Sequence, residues 1–423
     1  MTSQRTITRR LANVGLLLGF QGFGALAGVA AVLLLTGYIG AETYGRYAWA
    51  ISIAGLGALV LQMGFPTTIV KTFAPLTVTS TYGLPRPLGV LLLTVAGFTA
   101  SAWFGALLAT ASFDFSGEEL AWVPALLAAM ALGKFADATL RSAGMAQRAV
   151  FAEQSLRVAL LLGGVLFIGG LGITNAGPYL AAYAATALVA ALFFVAPVLM
   201  KPSATCQERL RPVPAHFHAS WSNGIGGHLP VFVSGLFLSA EALGYFALAL
   251  QLSGPIIYGL VAARALIGAR FAECVKTRQA QRARKIYFNS IVLSLGIAVV
   301  IAASINFALQ LLLSVDQRLV LADFTDERLL VLLVALASAY RICRAALGPV
   351  QLVLVLLGDE NAVRFSALLS VAVLVLGLTL GGFFEQSELQ MSAVVLYGLT
   401  LFVCLGTRVL NIQWNGVKAG KVA

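Results

Sequence analysis

Apolar residues gather along this chain into long continuous runs, and short polar segments separate one run from the next. Each run has about 20 residues or more, the length that an α-helix needs to cross roughly 30 Å of hydrocarbon. The pattern predicts an all-α, polytopic integral membrane protein with about twelve transmembrane helices. We expect the first run to be a retained helix, because it is too long for a cleaved signal peptide. The predicted spans are residues 11–38, 47–70, 88–111, 120–140, 156–174, 178–200, 217–238, 245–268, 287–314, 329–357, 365–384 and 391–410.

One stretch of this pattern occurs twice. The residues from Ala41 to Lys71 align without a gap on those from Ala240 to Arg270, 199 positions later. Both copies begin with the polar turn A-E-x-x-G and both end on a cation. A repeat of this kind indicates that the architecture itself is duplicated.

Six predicted helices separate the start of one copy from the start of the other, so both copies cross the membrane in the same direction. The sequence therefore predicts two parallel six-helix bundles, residues 1–200 and 217–423, joined by a cytosolic linker over residues 201–216. Parallel repeats related by an axis along the membrane normal are typical of transporters that bind substrate between two bundles.

Charged residues are few and unevenly distributed. Only 11% of the residues are charged, against about 25% in soluble proteins, and the mean hydropathy is +0.90. Most of the 28 Lys and Arg residues fall in loops on one side of the predicted membrane, and the other side holds only Arg46, Arg318 and Arg328. The positive-inside rule then places both termini in the cytoplasm. The net charge of +11 indicates loops beside anionic lipid, and no nucleic-acid motif accompanies it, so no nucleic-acid partner is expected.

Two arginines lie near the middle of the predicted span 329–357. Arg341 and Arg344 are three positions apart and share a helix face, although an arginine at the bilayer centre costs about 2.5–3.5 kcal/mol on insertion scales. The functional interpretation is an anion-binding patch in a water-filled lumen. Two structural alternatives stay open: helix carbonyls satisfy the pair, or the helix ends at Arg344. Gly348 and Pro349 follow and favour a kink.

A second group of charges lies in the predicted span 120–140 and at the residue that follows it. Lys134, Asp137 and Arg141 fall near one helix face, and Asp137 is the only acidic residue that the sequence places within a span. Lys134 and Arg141 are candidates for a cationic, substrate-binding lumen. Asp137 either neutralises one of these cations or serves as a protonatable coupling site.

Three further cations lie towards the cytosolic ends of predicted helices. Arg264 either lines the lumen with the other cations or extends its side chain to the membrane surface. Lys71 and Arg270 end the two copies of the repeat. They either anchor the helices on the cytosolic side or line the mouth of the lumen.

The sequence contains no motif that favours an enzyme or a metal site. Walker A, G-x-S-x-G and H-E-x-x-H patterns are absent, and no predicted outer loop exceeds about 15 residues. The protein is therefore not expected to be an enzyme. The four cysteines lack the spacing of metal ligands and are expected to be unpaired thiols, and the three histidines are too few for a metal centre.

The twelve-helix layout and two short stretches of sequence resemble a known family. The stretches are G-Y-I-G-A-E-T-Y-G-R-Y-A in the first predicted loop and L-R-S-A-G-M-A-Q-R-A-V-F-A-E-Q-S-L-R between the fourth and fifth spans. They are similar to polysaccharide and oligosaccharide flippases, the Wzx-type members of the multidrug/oligosaccharidyl-lipid/polysaccharide exporter superfamily.

This resemblance implies a function. The chain would move an undecaprenyl-diphosphate-linked oligosaccharide, an O-antigen or exopolysaccharide repeat unit, from the cytoplasmic to the periplasmic leaflet of the bacterial inner membrane. It would do so by alternating access through a cationic lumen. No cofactor is expected, and coupling to H⁺ or Na⁺ stays open. The expected partners are the lipid-linked oligosaccharide and membrane lipids, with polysaccharide polymerase and chain-length machinery as further partners.

Two other functions stay open at this point. One is a cation-coupled drug or metabolite antiporter of the same superfamily, which would need a carboxylate such as Asp137 in its lumen. The other is a polytopic polysaccharide polymerase or ligase, which would need a long outer loop with catalytic polar residues.

Overall fold

The structure is a computed structural model that describes residues 2–62, 64–66, 117–142, 145–199, 214–261, 274, 279–315, 326–350, 353–354, 359–384 and 386–410. Within these ranges every regular element is helical. The helices are α1 (Thr2–Gln62), α2 (Gly117–Ser142), α3 (Ala146–Val150), a π-helix (Phe151–Leu156), α4 (Arg157–Gly170), α5 (Ala176–Leu199), α6 (Pro214–Ser234), α7 (Ala240–Leu252), a 3₁₀-helix (Gly254–Ile257), α8 (Ala280–Val315), α9 (Glu327–Ala346), α10 (Glu360–Phe383) and α11 (Ser387–Leu410).

The described helices confirm an all-α, multi-pass membrane protein. Eight helical stretches within the described ranges are long and apolar enough to cross a membrane, and Ala176–Leu192 is a shorter apolar helix. Each predicted span that the structure describes in whole or in part overlaps a helix. The predicted span 88–111 lies outside the described residues.

The connection between the first two predicted spans is a single residue. α1 runs from Thr2 to Gln62, and only Gly40 departs from helical geometry, with φ 75° and ψ 171°. Glycine reaches a positive φ without the Cβ clash that other residues meet. The predicted polar turn after Gly40 is therefore already helix, and the second half of α1 begins at Ala41.

The second copy of the repeat begins a helix at the equivalent residue. α7 starts at Ala240, and the Ser239 side chain caps it by accepting a hydrogen bond from the Ala242 backbone N–H at 3.3 Å. Serine is a favoured residue at this position because it satisfies a free N–H of the first turn. The two copies thus share a helix start and differ in how the chain enters it.

The chain divides into two compact units, Met1–Phe232 and Val233–Ala423. In the first unit Trp49 and Tyr179 are fully buried among helices, and in the second unit Phe246 and Tyr340 are. The predicted bundle boundaries at the linker, and the cytoplasmic placement of both termini, stay predictions.

Two predicted spans are interrupted in the second unit. The span 245–268 breaks after Leu252, where the chain passes into the 3₁₀-helix that contains Pro255. The span 329–357 breaks at residues 347–349, where Gly348 has a φ of +57°. A Cβ at Gly348 would lie 2.8 Å from Ile291 Cγ1 of α8, so the close approach also needs glycine.

Candidate functional site

The first unit contains a cavity of about 340 Å³. Its wall is built by α1, α2, α5, α6 and the helical stretch over residues 146–170. Alanine and glycine form much of the wall, and their small side chains leave the space open. The volume lies within the range of small-molecule sites, about 300–1,000 Å³. The polar residues of the wall are Gln62, Lys134, Asp137, Glu153, Arg157, Tyr183 and His228.

An ion pair joins two helices at this cavity. The Lys134 ammonium donates a hydrogen bond to the Glu153 carboxylate. The Lys134 side chain is 49% exposed and the Glu153 side chain only 20%, so the cation lies closer to open space than its partner. Glu153 belongs to the membrane-length helix Gln147–Gly170. The prediction that Asp137 is the only acidic residue within a span is therefore wrong.

The position of Glu153 depends on the π-helix Phe151–Leu156. A π-helix bonds each N–H one residue further back than an α-helix does, and such segments are rare and often found at functional sites. Ser155 fixes this one against α1 by donating a hydrogen bond to the Phe20 carbonyl at 3.0 Å. The sequence predicted a loop here, because polar residues are frequent between the spans 120–140 and 156–174.

Asp137 is paired within its own helix. Arg141 Nε donates to both carboxylate oxygens of Asp137, at 2.8 and 2.9 Å. The Asp137 side chain is 17% exposed and that of Arg141 is 44% exposed. The structure therefore pairs Asp137 with Arg141, and a role of Asp137 in coupling stays a prediction.

Arg157 crosses from α4 to α5. It donates one hydrogen bond to the Tyr183 hydroxyl at 3.1 Å and one to the Glu153 carbonyl at 3.3 Å. Its guanidinium carbon lies 5.4 Å from the centre of the Tyr183 ring, which is cation–π geometry. The sequence placed Arg157 among the cytosolic cations, and its role on the cavity wall was missed.

His228 of α6 packs against a glycine of α1. A Cβ at Gly55 would lie 2.5 Å from the imidazole ring, so the ring occupies the space that any larger residue would fill. His, Cys, Asp and Glu side chains do not gather into a metal-like group anywhere in the described ranges. Among the described cysteines, Cys343 and Cys404 are free thiols.

The predicted arginine pair lies in the second unit, on the last turns of α9. The guanidinium carbons of Arg341 and Arg344 lie 5.2 and 5.9 Å from the centre of the Tyr340 ring. Arg344 also donates to the Tyr340 hydroxyl at 3.2 Å. Arg341 Nε is buried and has no hydrogen-bond partner among the described residues. Within that part of the chain, neither arginine forms an ion pair with a carboxylate.

Hydroxyl groups of α8 bond two of the carbonyls at the end of α9. Ser294 donates to the Ala345 carbonyl at 2.7 Å, and Tyr287 donates to the Leu347 carbonyl at 3.2 Å. Among the described residues no hydrogen bond joins either arginine to a carbonyl, so the alternative in which carbonyls satisfy the arginine pair gains no support. α9 ends at Ala346, two residues after Arg344. This end is close to the one expected if the helix stopped at Arg344. The negative end of the helix dipole lies there and stabilises cations.

The remaining predicted site residues, Lys71, Arg264 and Arg270, lie outside the described residues. Lys134 and Asp137 line one cavity, and Arg141 is paired with Asp137 beside it. Arg341 and Arg344 both contact the Tyr340 ring. That all five cations line one lumen stays a prediction.

No protein-family model and no curated protein matches this sequence. Solved structures do match its fold. The lipid II flippase MurJ, in an inward closed conformation, has a TM-score of 0.65 at 11% identity, covering 94% of this chain and 87% of that chain. An inward-facing multidrug resistance MATE family transporter of the MOP superfamily has a TM-score of 0.61 at 15% identity, covering 96% and 100%.

A third match is a MOP superfamily transporter from Pyrococcus furiosus, whose reversed pocket polarity suggests a different function for it. Its TM-score is 0.52 at 16% identity, and the match covers 97% of this chain and 95% of that chain. These likenesses extend over nearly the whole chain. The protein therefore has the fold of MOP-superfamily transporters and flippases.

Proposed function

We propose that this chain is a flippase that moves an undecaprenyl-diphosphate-linked oligosaccharide, an O-antigen or exopolysaccharide repeat unit, across the membrane by alternating access through a cationic lumen. The observation that carries the proposal is the partly buried arginine pair. Arg341 and Arg344 have no carboxylate partner among the described residues, and Arg341 Nε has no hydrogen-bond partner there. An uncompensated buried guanidinium is costly unless an anion binds it.

A lipid diphosphate matches this requirement. Guanidinium groups bind phosphate oxygens through two parallel hydrogen bonds, in a geometry that an ammonium group does not reproduce. A polar route that shields the diphosphate and sugar, while the polyprenyl tail stays in lipid, lowers the barrier for crossing hydrocarbon. The fold supports the same function, because it is the fold of a protein named as a lipid II flippase.

The test of this function is the double variant Arg341→Ala/Arg344→Ala in cells that otherwise lack the protein. We expect surface polysaccharide to be lost and lipid-linked oligosaccharide to accumulate on the inner leaflet, while the variant still reaches the membrane. Arg341→Lys/Arg344→Lys should restore export only in part, because lysine keeps the positive charge but cannot form the two parallel hydrogen bonds of a guanidinium group.

The matched control is Arg282→Ala/Arg284→Ala on α8. Both residues are exposed, and Arg284 also lies over an aromatic ring, that of Phe288, at 5.7 Å. The control should export normally. Wild-type polysaccharide from the Arg341→Ala/Arg344→Ala variant would disprove the role of the pair.

A cation-coupled antiporter for drugs or metabolites is the second candidate. It is favoured by one observation, the carboxylates of Asp137 and Glu153 on the wall of the cavity. An antiporter would raise resistance to organic cations when expressed, and Asp137→Asn or Glu153→Gln would abolish that resistance. If expression of the protein leaves drug susceptibility unchanged and the Arg341→Ala/Arg344→Ala variant loses surface polysaccharide, the flippase is favoured over the antiporter.

The other parts of the proposal follow from the sequence. The protein would lie in the bacterial inner membrane with both termini in the cytoplasm. It would have no enzymatic activity, in agreement with its resemblance in fold to transporters. Coupling to H⁺ or Na⁺, and association with polysaccharide polymerase and chain-length machinery, belong to the same proposal.

A further inference from the structure

Each charged group at the cavity of the first unit has a partner, and Arg157 donates to the Tyr183 hydroxyl and the Glu153 carbonyl. Lys134 is bound by Glu153, and Arg141 is bound by Asp137. We infer that this cavity is a saccharide subsite, which holds a neutral, hydroxyl-bearing part of the substrate. The inference rests on the proposed function and assigns sugar and diphosphate to different residues.

Ion pairing makes the cavity a poor site for a simple ion. An anion that binds Lys134 would lie beside the Glu153 carboxylate, whose side chain is only 20% exposed and whose charge repels the anion. A cation that binds Asp137 would lie beside the Arg141 guanidinium, which holds both carboxylate oxygens and repels the cation. A further ion would add a charge that these partly buried pairs do not compensate, which is unfavourable.

A sugar can bind without breaking either pair. Each hydroxyl group both donates and accepts hydrogen bonds, and the wall offers both functions. An ammonium has three donors and a carboxylate about four lone-pair sites, and the Lys134–Glu153 hydrogen bond uses one of each. The Arg157 guanidinium and the Tyr183 hydroxyl stand at the same wall.

The apolar part of the wall suits the carbon face of a sugar ring. Tyr183 contributes an aromatic ring, and alanines and glycines from α1, α2 and α5 leave room for a ligand. Gly133 of α2 is the best position for a substitution that fills the cavity, because a Cβ there meets no atom within 4 Å. A side chain placed at Gly133 would therefore enter open space instead of colliding with the protein.

Saturation-transfer NMR on the purified full-length chain in detergent tests the inference, since the method detects weak binding. The probe is a mixture of glucose, galactose, rhamnose and N-acetylglucosamine. We expect saturation transfer to at least one sugar in the wild type, and its loss in Gly133→Leu, which fills the cavity. Gly163→Leu is the matched control, because Gly163 is also helical and open but does not line the cavity.

A second variant keeps the test decisive if Gly133→Leu does not fold. Glu153→Gln keeps the size of the side chain and removes its charge. Because the sugar then loses a charged acceptor, we expect sugar affinity to fall about tenfold or more, the effect of one charged hydrogen bond. Because Lys134 also loses its partner, binding of inorganic diphosphate, followed by phosphorus NMR, should rise.

The two proposals can fail separately. Arg341→Ala/Arg344→Ala should keep the sugar signal even though it loses export, which separates the subsite from the diphosphate site. Absence of transfer to every sugar, or an unchanged sugar signal in both Gly133→Leu and Glu153→Gln, would overturn the subsite. Wild-type binding of diphosphate or tetraphenylphosphonium that Gly133→Leu abolishes would overturn it too, because the cavity would then be an ion site.

Discussion

The cations of the two units differ in what neutralises them. Lys134 and Arg141 each have a carboxylate partner, and both carboxylates are more buried than the cations they hold. Arg341 and Arg344 instead contact the face of Tyr340. A π face attracts a cation but neutralises no charge. Only the second pair therefore keeps its full charge available for a phosphate.

Lys134 and Glu153 should stabilise the fold as a pair. Lys134→Met leaves Glu153 without its cation, and we expect the free energy of unfolding to fall by about 1–3 kcal/mol. This loss is smaller than for a fully buried pair because Lys134 is half exposed. Glu153→Gln should cost less, since water can reach Lys134.

The double variant Lys134→Met/Glu153→Gln should recover part of the loss, and thermal unfolding of the three variants in detergent measures the coupling. Strict additivity of the two single losses would mean that the pair contributes no interaction free energy.

At the residue scale, the sequence predicted short-range contacts better than long-range ones. Asp137 and Arg141 are four positions apart, so their pairing follows from helix geometry alone. Lys134 and Glu153 are 19 positions apart, and their pairing depends on how α2 packs against the π-helix. That packing has no periodic signal in the sequence.

At the element scale, apolar run length predicted the helices, because a membrane span must reach a minimum length. The breaks were partly predictable. Gly348 and Pro349 indicated a kink, which the structure confirms at residues 347–349. The π-helix was not predicted, because its residues have no composition that distinguishes them from a loop.

The π-helix gives α1 a contact that only glycine permits. A Cβ at Gly24 would lie 1.9 Å from the Gln154 carbonyl oxygen, whereas a Cβ at Gly22 meets nothing within 4 Å. Gly24→Ala should therefore force the helices apart and destabilise the protein by about 1–3 kcal/mol. Gly22→Ala should be neutral or stabilising by up to about 1 kcal/mol, the ordinary helix preference of alanine.

Thermal unfolding midpoints of these two variants are directly comparable, since the two sites are two residues apart on one helix. Equal midpoints would show that the contact between α1 and the π-helix does not need glycine.

The break after α9 offers a second test at this scale. Gly348→Ala places a Cβ at a φ of +57° and 2.8 Å from Ile291 Cγ1. We expect a loss of stability of about 1–3 kcal/mol from the two effects together. In an Ile291→Ala background, which lacks the contacting Cγ1 atom, Gly348→Ala should cost less stability by the part that the contact causes. An equal cost in both backgrounds would assign the whole loss to the backbone conformation.

At the scale of the whole molecule, orientation is the property that the charge pattern predicts and a reporter can test. Green fluorescent protein fused after residue 410 should fluoresce, because that end is predicted to be cytoplasmic. Alkaline phosphatase fused at Asn175, between α4 and α5, should be active, because that connection is predicted to be periplasmic. The opposite pair of results would invert the topology.

The single-residue joint at Gly40 makes the first unit sensitive to changes in chain length. The connection over residues 171–175 could absorb one extra residue, but α1 has no loop at Gly40 that could do so. An insertion there would rotate the following helix by about 100° relative to the one before it. The Trp49 indole, which donates to the Phe232 carbonyl at 3.1 Å, would then point away from it. Among natural or engineered variants of this chain that differ in length, insertions should therefore be rarer at Gly40 than in the connection over residues 171–175.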